Sequence, residues 1–262
     1  MLGSLLHRRL PPRRLTRWRP QSTQPLFSKV LVANRGEIAI RVMKTCRRLG
    51  IPTVAVYSEA DARSLHVRYA DEAVCIGPAP SADSYLRIDR ILSAARRTGA
   101  QAIHPGYGFL SENPNFADAV ESAGLVFIGP SSSAMLAMGD KINSKIIAQS
   151  AGCFTIPGFN GEIANAEDAK AVVKDIGYPV MIKASAGGGG KGMRVAYDDA
   201  QLQELFQLCK DEAKSSFGDE RLLVEKFIEE PHHIEIQVLA DGFGNVIAFP
   251  EREVSIPCRY II

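Results

Sequence analysis

The chain has 262 residues, of which 46% are hydrophobic and 23% charged, and carries a formal net charge of +2. That balance is ordinary for a globular protein of one large or two average domains and excludes a disordered chain. No apolar run approaches the roughly 18 residues needed to cross a bilayer, so a transmembrane reading is unsupported.

The charge is unevenly spread. Residues 1–24 hold Arg8, Arg9, Arg13, Arg14, Arg17 and Arg19 and no acid, which leaves the body mildly acidic at a net −4. A nucleic-acid-binding domain would show a basic face of its own, so no nucleic-acid partner is expected, and no membrane partner either. The leader is Arg-rich, acid-free and without an uninterrupted apolar core. This is the composition of a transit peptide over residues 1–26, most simply mitochondrial, and predicts a matrix location. A basic tail for an anionic partner is the alternative. Cys46, Cys75, Cys153, Cys209 and Cys258 form no C-x-x-C pair and are expected to be reduced and structural.

From Ser28 onward the periodicity is sharp. Lys29 to Ala33 reads as a short strand. Ile38, Val42, Met43, Cys46 and Leu49 then recur at helical spacing until Gly50, and Pro52 to Tyr57 is the next strand. Such a β-α-β unit predicts a parallel sheet. The turn after the first strand is Ala-Asn-Arg-Gly-Glu-Ile and lacks G-x-G-x-x-G, which argues against a dinucleotide site. Further strands are predicted at Glu72–Ile76, Gln101–His104 and Val126–Ile128, with helices over 84–98 and 114–123. The loop His104-Pro-Gly-Tyr-Gly-Phe-Leu-Ser-Glu-Asn113 lies at a strand's carboxyl end, where α/β sheets place chemistry, or it is a turn held by its glycines.

Ser131 or Ser132 is a candidate cap for a helix that Gly139-Asp-Lys141 interrupts. Lys141 on its own reads more readily as a solvated charge than as a phosphate ligand. Residues 152–161 look like a linker. A helix over 166–177 precedes the stretch Lys183-Ala-Ser-Ala-Gly-Gly-Gly-Gly-Lys-Gly-Met-Arg194, in which four glycines join two strand-like segments. Glycines let successive N–H groups converge on one point, and flanking lysines supply charge for a phosphate. A flexible hairpin turn is the plain alternative. Asp198 to Gln201 resembles a helix cap, and Leu202, Leu205, Phe206 and Cys209 give that helix one apolar face up to Gly218. In the strand Arg221–Ile228, Glu225 and Phe227 share one face and Val224, Lys226 and Ile228 the other. Ile234, Ile236 and Val238 are expected to face a core, with His233, Glu235 and Gln237 opposite, before a hairpin turn at Asp241-Gly-Phe-Gly244.

Taken together, Val32-Ala-Asn-Arg-Gly-Glu-Ile-Ala39, the 104–113 loop, Gly139-Asp-Lys141, Lys183 to Arg194, and Glu225-Lys-Phe-Ile followed by His233-Ile-Glu-Ile-Gln237 resemble biotin carboxylase, of the ATP-grasp superfamily. The resemblance runs from about Phe27 to Ser255 or Ile256. It implies an α/β fold: an N-terminal Rossmann-like parallel-sheet domain over 27–138, then an incomplete ATP-grasp domain with an α+β lid subdomain over 139–230 and the start of the ATP-grasp core over 231–262. Thr155-Ile-Pro-Gly158, Ala184-Ser-Ala186 and Ser215-Ser-Phe-Gly218 resemble α subunits of acyl-CoA carboxylases, those of the propionyl-CoA type ahead of the methylcrotonyl-CoA type.

The implied reaction is ATP-dependent phosphorylation of bicarbonate and transfer of activated carbon dioxide to biotin. The implied cofactors are ATP, Mg2+ (or Mn2+) and a biotin carried on another segment or chain. The implied partners are bicarbonate, the biotin carrier segment and the carboxyltransferase β subunit of an acyl-CoA carboxylase. By similarity Lys141 and Lys183 hold ATP phosphates, and Gly189 and Gly190 belong to the lid. Glu225, Lys226 and Ile228 belong to the adenine-lining segment, and His233 reaches the nucleotide. After Glu251-Arg-Glu253 the chain departs from the family pattern: Pro257 stands in place of a glutamine and Ile262 in place of a bicarbonate-binding lysine. The family's metal ligands and catalytic arginine lie beyond Ile262, so no catalytic or metal residue is assigned within the chain, and it is expected to be inactive alone. A truncated or mis-spliced form, a short nucleotide-binding isoform and a fragment of a longer protein all remain open.

Overall fold

The computed structural model describes residues 26–159, 161–186 and 192–254. Two compact units emerge, one through residue 111 and from 116 to 129, the other comprising 112–115 and everything from 130 onward.

The first unit is built from β1 (Val30–Val32), α1 (Gly36–Arg48), β2 (Thr53–Ser58), α2 (Leu65–Tyr69), β3 (Glu72–Gly77), α3 (Ile88–Thr98), β4 (Ala102–His104), α4 (Pro114–Ser122) and β5 (Val126–Phe127). Its five strands are all parallel, in the order β3-β2-β1-β4-β5. The central strand β1 is buried throughout, as a strand covered on both faces must be, which is why Val30-Leu-Val32 does not alternate with polar residues. Met43, Cys46 and Ala39 carry the buried face of α1, and Ile91, Ala94 and Ala95 that of α3. The third helix begins at Ile88, four residues later than the sequence predicts, because a turn of 3-10 helix occupies Ser81–Asp83. Helix α2 carries no long apolar repeat and escapes a periodicity argument.

At the order reversal between β1 and β4, where a dinucleotide would sit in a doubly wound sheet, Asn34 bridges the two loops. Its Nδ2 donates to the carbonyls of Pro105 and Tyr107, both at 2.9 Å. A Cβ on Gly106, at φ +70°, would come within 2.7 Å of that amide nitrogen. The 104–113 loop is thus a glycine-held turn. His104 Nδ1 accepts from the Gly106 N–H at 3.0 Å, and burial holds its imidazole below the usual histidine range.

The second unit runs α5 (Ser132–Gly139), α6 (Lys141–Ser150), α7 (Ala166–Ile176), β6 (Val180–Ala184), β7 (Met193–Ala196), α8 (Asp199–Phe217), β8 (Leu222–Lys226), β9 (Ile234–Ala240) and β10 (Val246–Glu253). Caps agree with the sequence. Ser131 accepts from Ala134 N, Asp198 accepts from Gln201 N, and Gly218 closes α8 in the left-handed region at φ +70°. Strands β7, β6 and β8 form an antiparallel sheet in that order. One face packs Val180, Ile182, Ala184, Leu222 and Val224 against Val173 of α7 and Leu202, Phe206, Cys209 and Ala213 of α8. Burial pushes the Cys209 thiol up to about 11, consistent with an inert core cysteine.

Two expectations need correcting. Where a linker is expected, residues 157–159 and Ile163 run along β8. Lys226 N donates to Pro157 O at 2.8 Å, Phe159 N to Val224 O at 3.3 Å, and Ile163 N to Leu222 O at 3.1 Å. An edge strand that supplies acceptors draws the neighbouring backbone onto it whatever its composition. Likewise Ile234, Ile236 and Val238 do not face a core: Ile236 is 60% exposed, and among the described residues no layer covers either face of the β9–β10 hairpin. Period-2 alternation reports which residues share a face and not whether that face is covered.

Candidate functional site

The site grows from the face of the antiparallel sheet opposite the helices. Because side chains alternate along a strand, burying Val180, Ile182 and Ala184 on one side of β6 sends Met181 and Lys183 to the other. The same logic on β8 buries Leu222 and Val224 with the helices and turns Leu223 and Glu225 toward Lys183. Glu225 is only 6% exposed. Its Oε1 accepts from the Lys183 ammonium, and its Oε2 accepts from Lys145 Nζ at 3.2 Å. A buried carboxylate is tolerated only when paired, and two lysines supply the pairing.

Helix α6 delivers two of the lysines, and its first turn is tightly fixed. Asp140 caps it, accepting from Asn143 N at 2.9 Å, while its Oδ2 takes hydrogen bonds from Ser185 Oγ at 3.1 Å and Arg221 Nη2 at 2.7 Å. Lys141 N in turn donates to Ser185 O at 3.2 Å. Desolvation raises the pKa of Asp140, but its hydrogen bonds and Arg221 outweigh that and hold it below the ordinary carboxylate range. The helix start is thereby tied to the carboxyl end of β6, and Lys141 and Lys145, one turn apart, share a helix face. Lys141 Nζ lies 3.5 Å from Ser185 O. Burial, then repulsion from Lys183, lowers the Lys141 ammonium below the usual lysine range, against a smaller opposing pull from Asp140 and Glu225.

Two ammoniums, those of Lys145 and Lys183, therefore pair with one carboxylate, and a third, that of Lys141, lies in their field, with the positive end of a capped helix beside them. The surplus is cationic, and such an arrangement suits a polyanion better than a bare cation. Among the described residues no group of three His, Cys, Asp or Glu side chains is placed to hold a metal ion.

Of the residues singled out in the sequence, Lys183 and Glu225 are in contact and Lys141 shares their field. Lys226 is turned to the other edge, where its Nζ donates to Tyr178 O at 2.6 Å and Gly177 O at 3.3 Å. Ile228 is exposed beyond the end of β8. His233, just before β9, has its Nε2 3.5 Å from Glu235 Oε1. Gly189, Gly190, Pro257 and Ile262 lie outside the described residues, although the two strands that the glycine loop joins are antiparallel neighbours, with Lys183 opposite Met193. Lys145 and Arg221 have no role in the sequence reading, and Asp140 and Ser185 enter it only inside the motifs Gly139-Asp-Lys141 and Ala184-Ser-Ala186.

Known proteins match most of the chain. Residues 26–135 match the profile "Biotin carboxylase, N-terminal domain", and residues 140–261 match "Carbamoyl-phosphate synthase L chain, ATP binding domain". The mitochondrial propionyl-CoA carboxylase alpha chain of Caenorhabditis elegans is 63% identical over 236 residues, covering 90% of this chain and 33% of the relative. The chain thus spans about a third of that relative's length. Among solved structures, the biotin carboxylase–βγ-ATP complex of Campylobacter jejuni aligns with a TM-score of 0.87 at 48% identity, over 90% of this chain and 53% of that one. The biotin carboxylase domain of Hydrogenobacter thermophilus 2-oxoglutarate carboxylase, solved with MgADP, ADP and bicarbonate, aligns at 0.85 and 50% identity over 89% and 51%. With both domains matched in order and the fold shared, the chain belongs to the biotin carboxylase family, as its N-terminal part.

Proposed function

We propose that Lys141 and Lys183, beside the Lys145–Glu225 pair, hold the polyphosphate of ATP, and that they do so for the ATP- and bicarbonate-dependent carboxylation of biotin. The observation that carries this reading is the pairing of Lys145 and Lys183 with the buried carboxylate of Glu225, with Lys141 within their electrostatic field. In phosphoryl transfer the protein contributes positioning and charge neutralisation above all. Lys141 and Lys183 are the phosphate ligands, the 187–191 glycine loop is the lid, and the backbone from Glu225 to Ile228 with His233 receives the rest of the nucleotide. Mg2+ neutralises phosphate charge when bound, and we assign it no ligand among the described residues.

The two similar structures bound to nucleotides support the choice of ligand. The relatives named as propionyl-CoA carboxylase alpha chains support propionyl-CoA as the acyl substrate of the longer protein, with biotin on a carrier segment and a carboxyltransferase β subunit as partner. The mitochondrial relatives and the arginine-rich leader together favour the matrix. Turnover we assign to the relatives' full length, and nucleotide binding to this chain. Phosphorus NMR of ATP titrated with the 262-residue chain tests it. The β and γ resonances should broaden and shift, and should stop doing so with Lys183→Ala. Unchanged phosphate resonances would reject the reading.

A further inference from the structure

Lys183 presents a difficulty for a phosphate ligand, because its ammonium is already engaged by Glu225. Moving it to a phosphate would leave a carboxylate of 6% exposure without that partner, and an uncompensated buried charge is strongly unfavourable. The other carboxylate oxygen resolves this. Glu225 Oε2 accepts from Lys145 Nζ at 3.2 Å, and the Lys145 side chain is itself 10% exposed, held on α6 by the Asp140 cap.

The neighbouring cations are committed elsewhere: Lys226 to the carbonyls of Gly177 and Tyr178, and Arg221 to Asp219 and Asp140. Among the described residues, Lys145 and Lys183 are the ion-pair partners of Glu225. We infer that Lys145 is a positioning residue of the nucleotide site: by keeping hold of Glu225, it lets Lys183 exchange that carboxylate for a phosphate. This rests on the polyphosphate reading above.

Calorimetric titration of the whole chain with ADP and with adenosine tests it. Lys145→Met should weaken ADP binding about tenfold, the size expected for losing a charged hydrogen-bond partner, and leave adenosine binding unchanged. Lys145→Gln, which keeps polarity and serves as the second variant should the methionine misfold, should lose as much, and Lys145→Arg should keep most of the affinity. In a Glu225→Gln background, where there is no carboxylate to hold, Lys145→Met should have no further effect. The inference is overturned if Lys145→Met binds ADP as tightly as the parent, or loses adenosine equally. It is also overturned if the loss persists beside Glu225→Gln, since Lys145 would then touch the phosphates itself. If the parent chain does not bind ADP at all, the polyphosphate reading fails instead.

Discussion

Lys183 and Glu225 are diagonal neighbours across an antiparallel pair: Lys183 lies opposite Leu223, Glu225 lies opposite Met181, and the ion pair runs between the two rungs. Diagonal reach of this kind is open to a long side chain such as lysine. Lys183 thereby reaches back from near the end of β6 to a carboxylate that Lys145 of α6 also reaches.

Lys141 should trade stability for binding. Its ammonium is held below the usual lysine range by burial first and Lys183 second. The unfolded chain then binds more protons than the folded one between the lowered value and the ordinary 10.5, so this group's contribution to stability rises with pH across that window and is adverse below it. Lys141→Met should therefore raise the melting temperature of the nucleotide-free chain at neutral pH, by up to about 2 °C for a partly solvated group. The same variant should bind ATP more weakly. Melting curves with and without ATP show both effects, and a destabilised variant would contradict the assignment.

Gly158 should tolerate no side chain. A Cβ there would stand 2.5 Å from Val224 O and 2.8 Å from Glu225 Cα, contacts with backbone that cannot swing aside. Gly158→Ala should cost about 1–3 kcal/mol by overpacking and displace Glu225, lowering ATP affinity as well. Gly139→Ala meets nothing within 4 Å at the end of α5 and should be neutral or stabilising by up to about 1 kcal/mol. Urea denaturation midpoints of the two variants compare them directly.

Acid should act on the first unit through Asp61. Its carboxylate takes a two-point contact from Arg35 and hydrogen bonds from Tyr85 at 2.6 Å and Ser64 at 3.2 Å; Arg35 above all holds it far below the ordinary 3.8. A depressed carboxylate contributes stability that is present above the unfolded value and fades as pH falls below about 4. Asp61→Asn should be less stable by about 1–3 kcal/mol at neutral pH, the half-exposed arginine keeping the loss below that of a fully buried pair. Its stability should also fall less steeply between pH about 4 and about 2. Parallel pH profiles of denaturation would sink the assignment.

Much of this architecture is legible in the sequence. The β-α-β opening, the caps at Ser131 and Asp198, and the apolar face Leu202, Phe206 and Cys209 are local signals that packing reinforces. The glycine stretch is readable as a joint between strands because both flanks are apolar. What is not legible is three-dimensional pairing. Nothing local says that residues 157–159 and Ile163 will line β8, that Asn34 will close the crevice between β1 and β4, or that the apolar side of β9 stays exposed. In the site, Lys183 stands out as a lysine flanking the glycine stretch, and Lys141 only through the family resemblance. Lys145 is a surface-type residue by composition, and its burial against Glu225 depends on a sheet register no spacing argument supplies.

The most direct test of the account is calorimetric titration of the 262-residue chain with ATP and Mg2+, set beside Lys183→Ala. The account predicts saturable binding by the parent chain, at least about tenfold weaker in the variant and weakened by added salt as exposed charge pairing requires. Absence of binding by the parent, or equal affinity in the two, would contradict it.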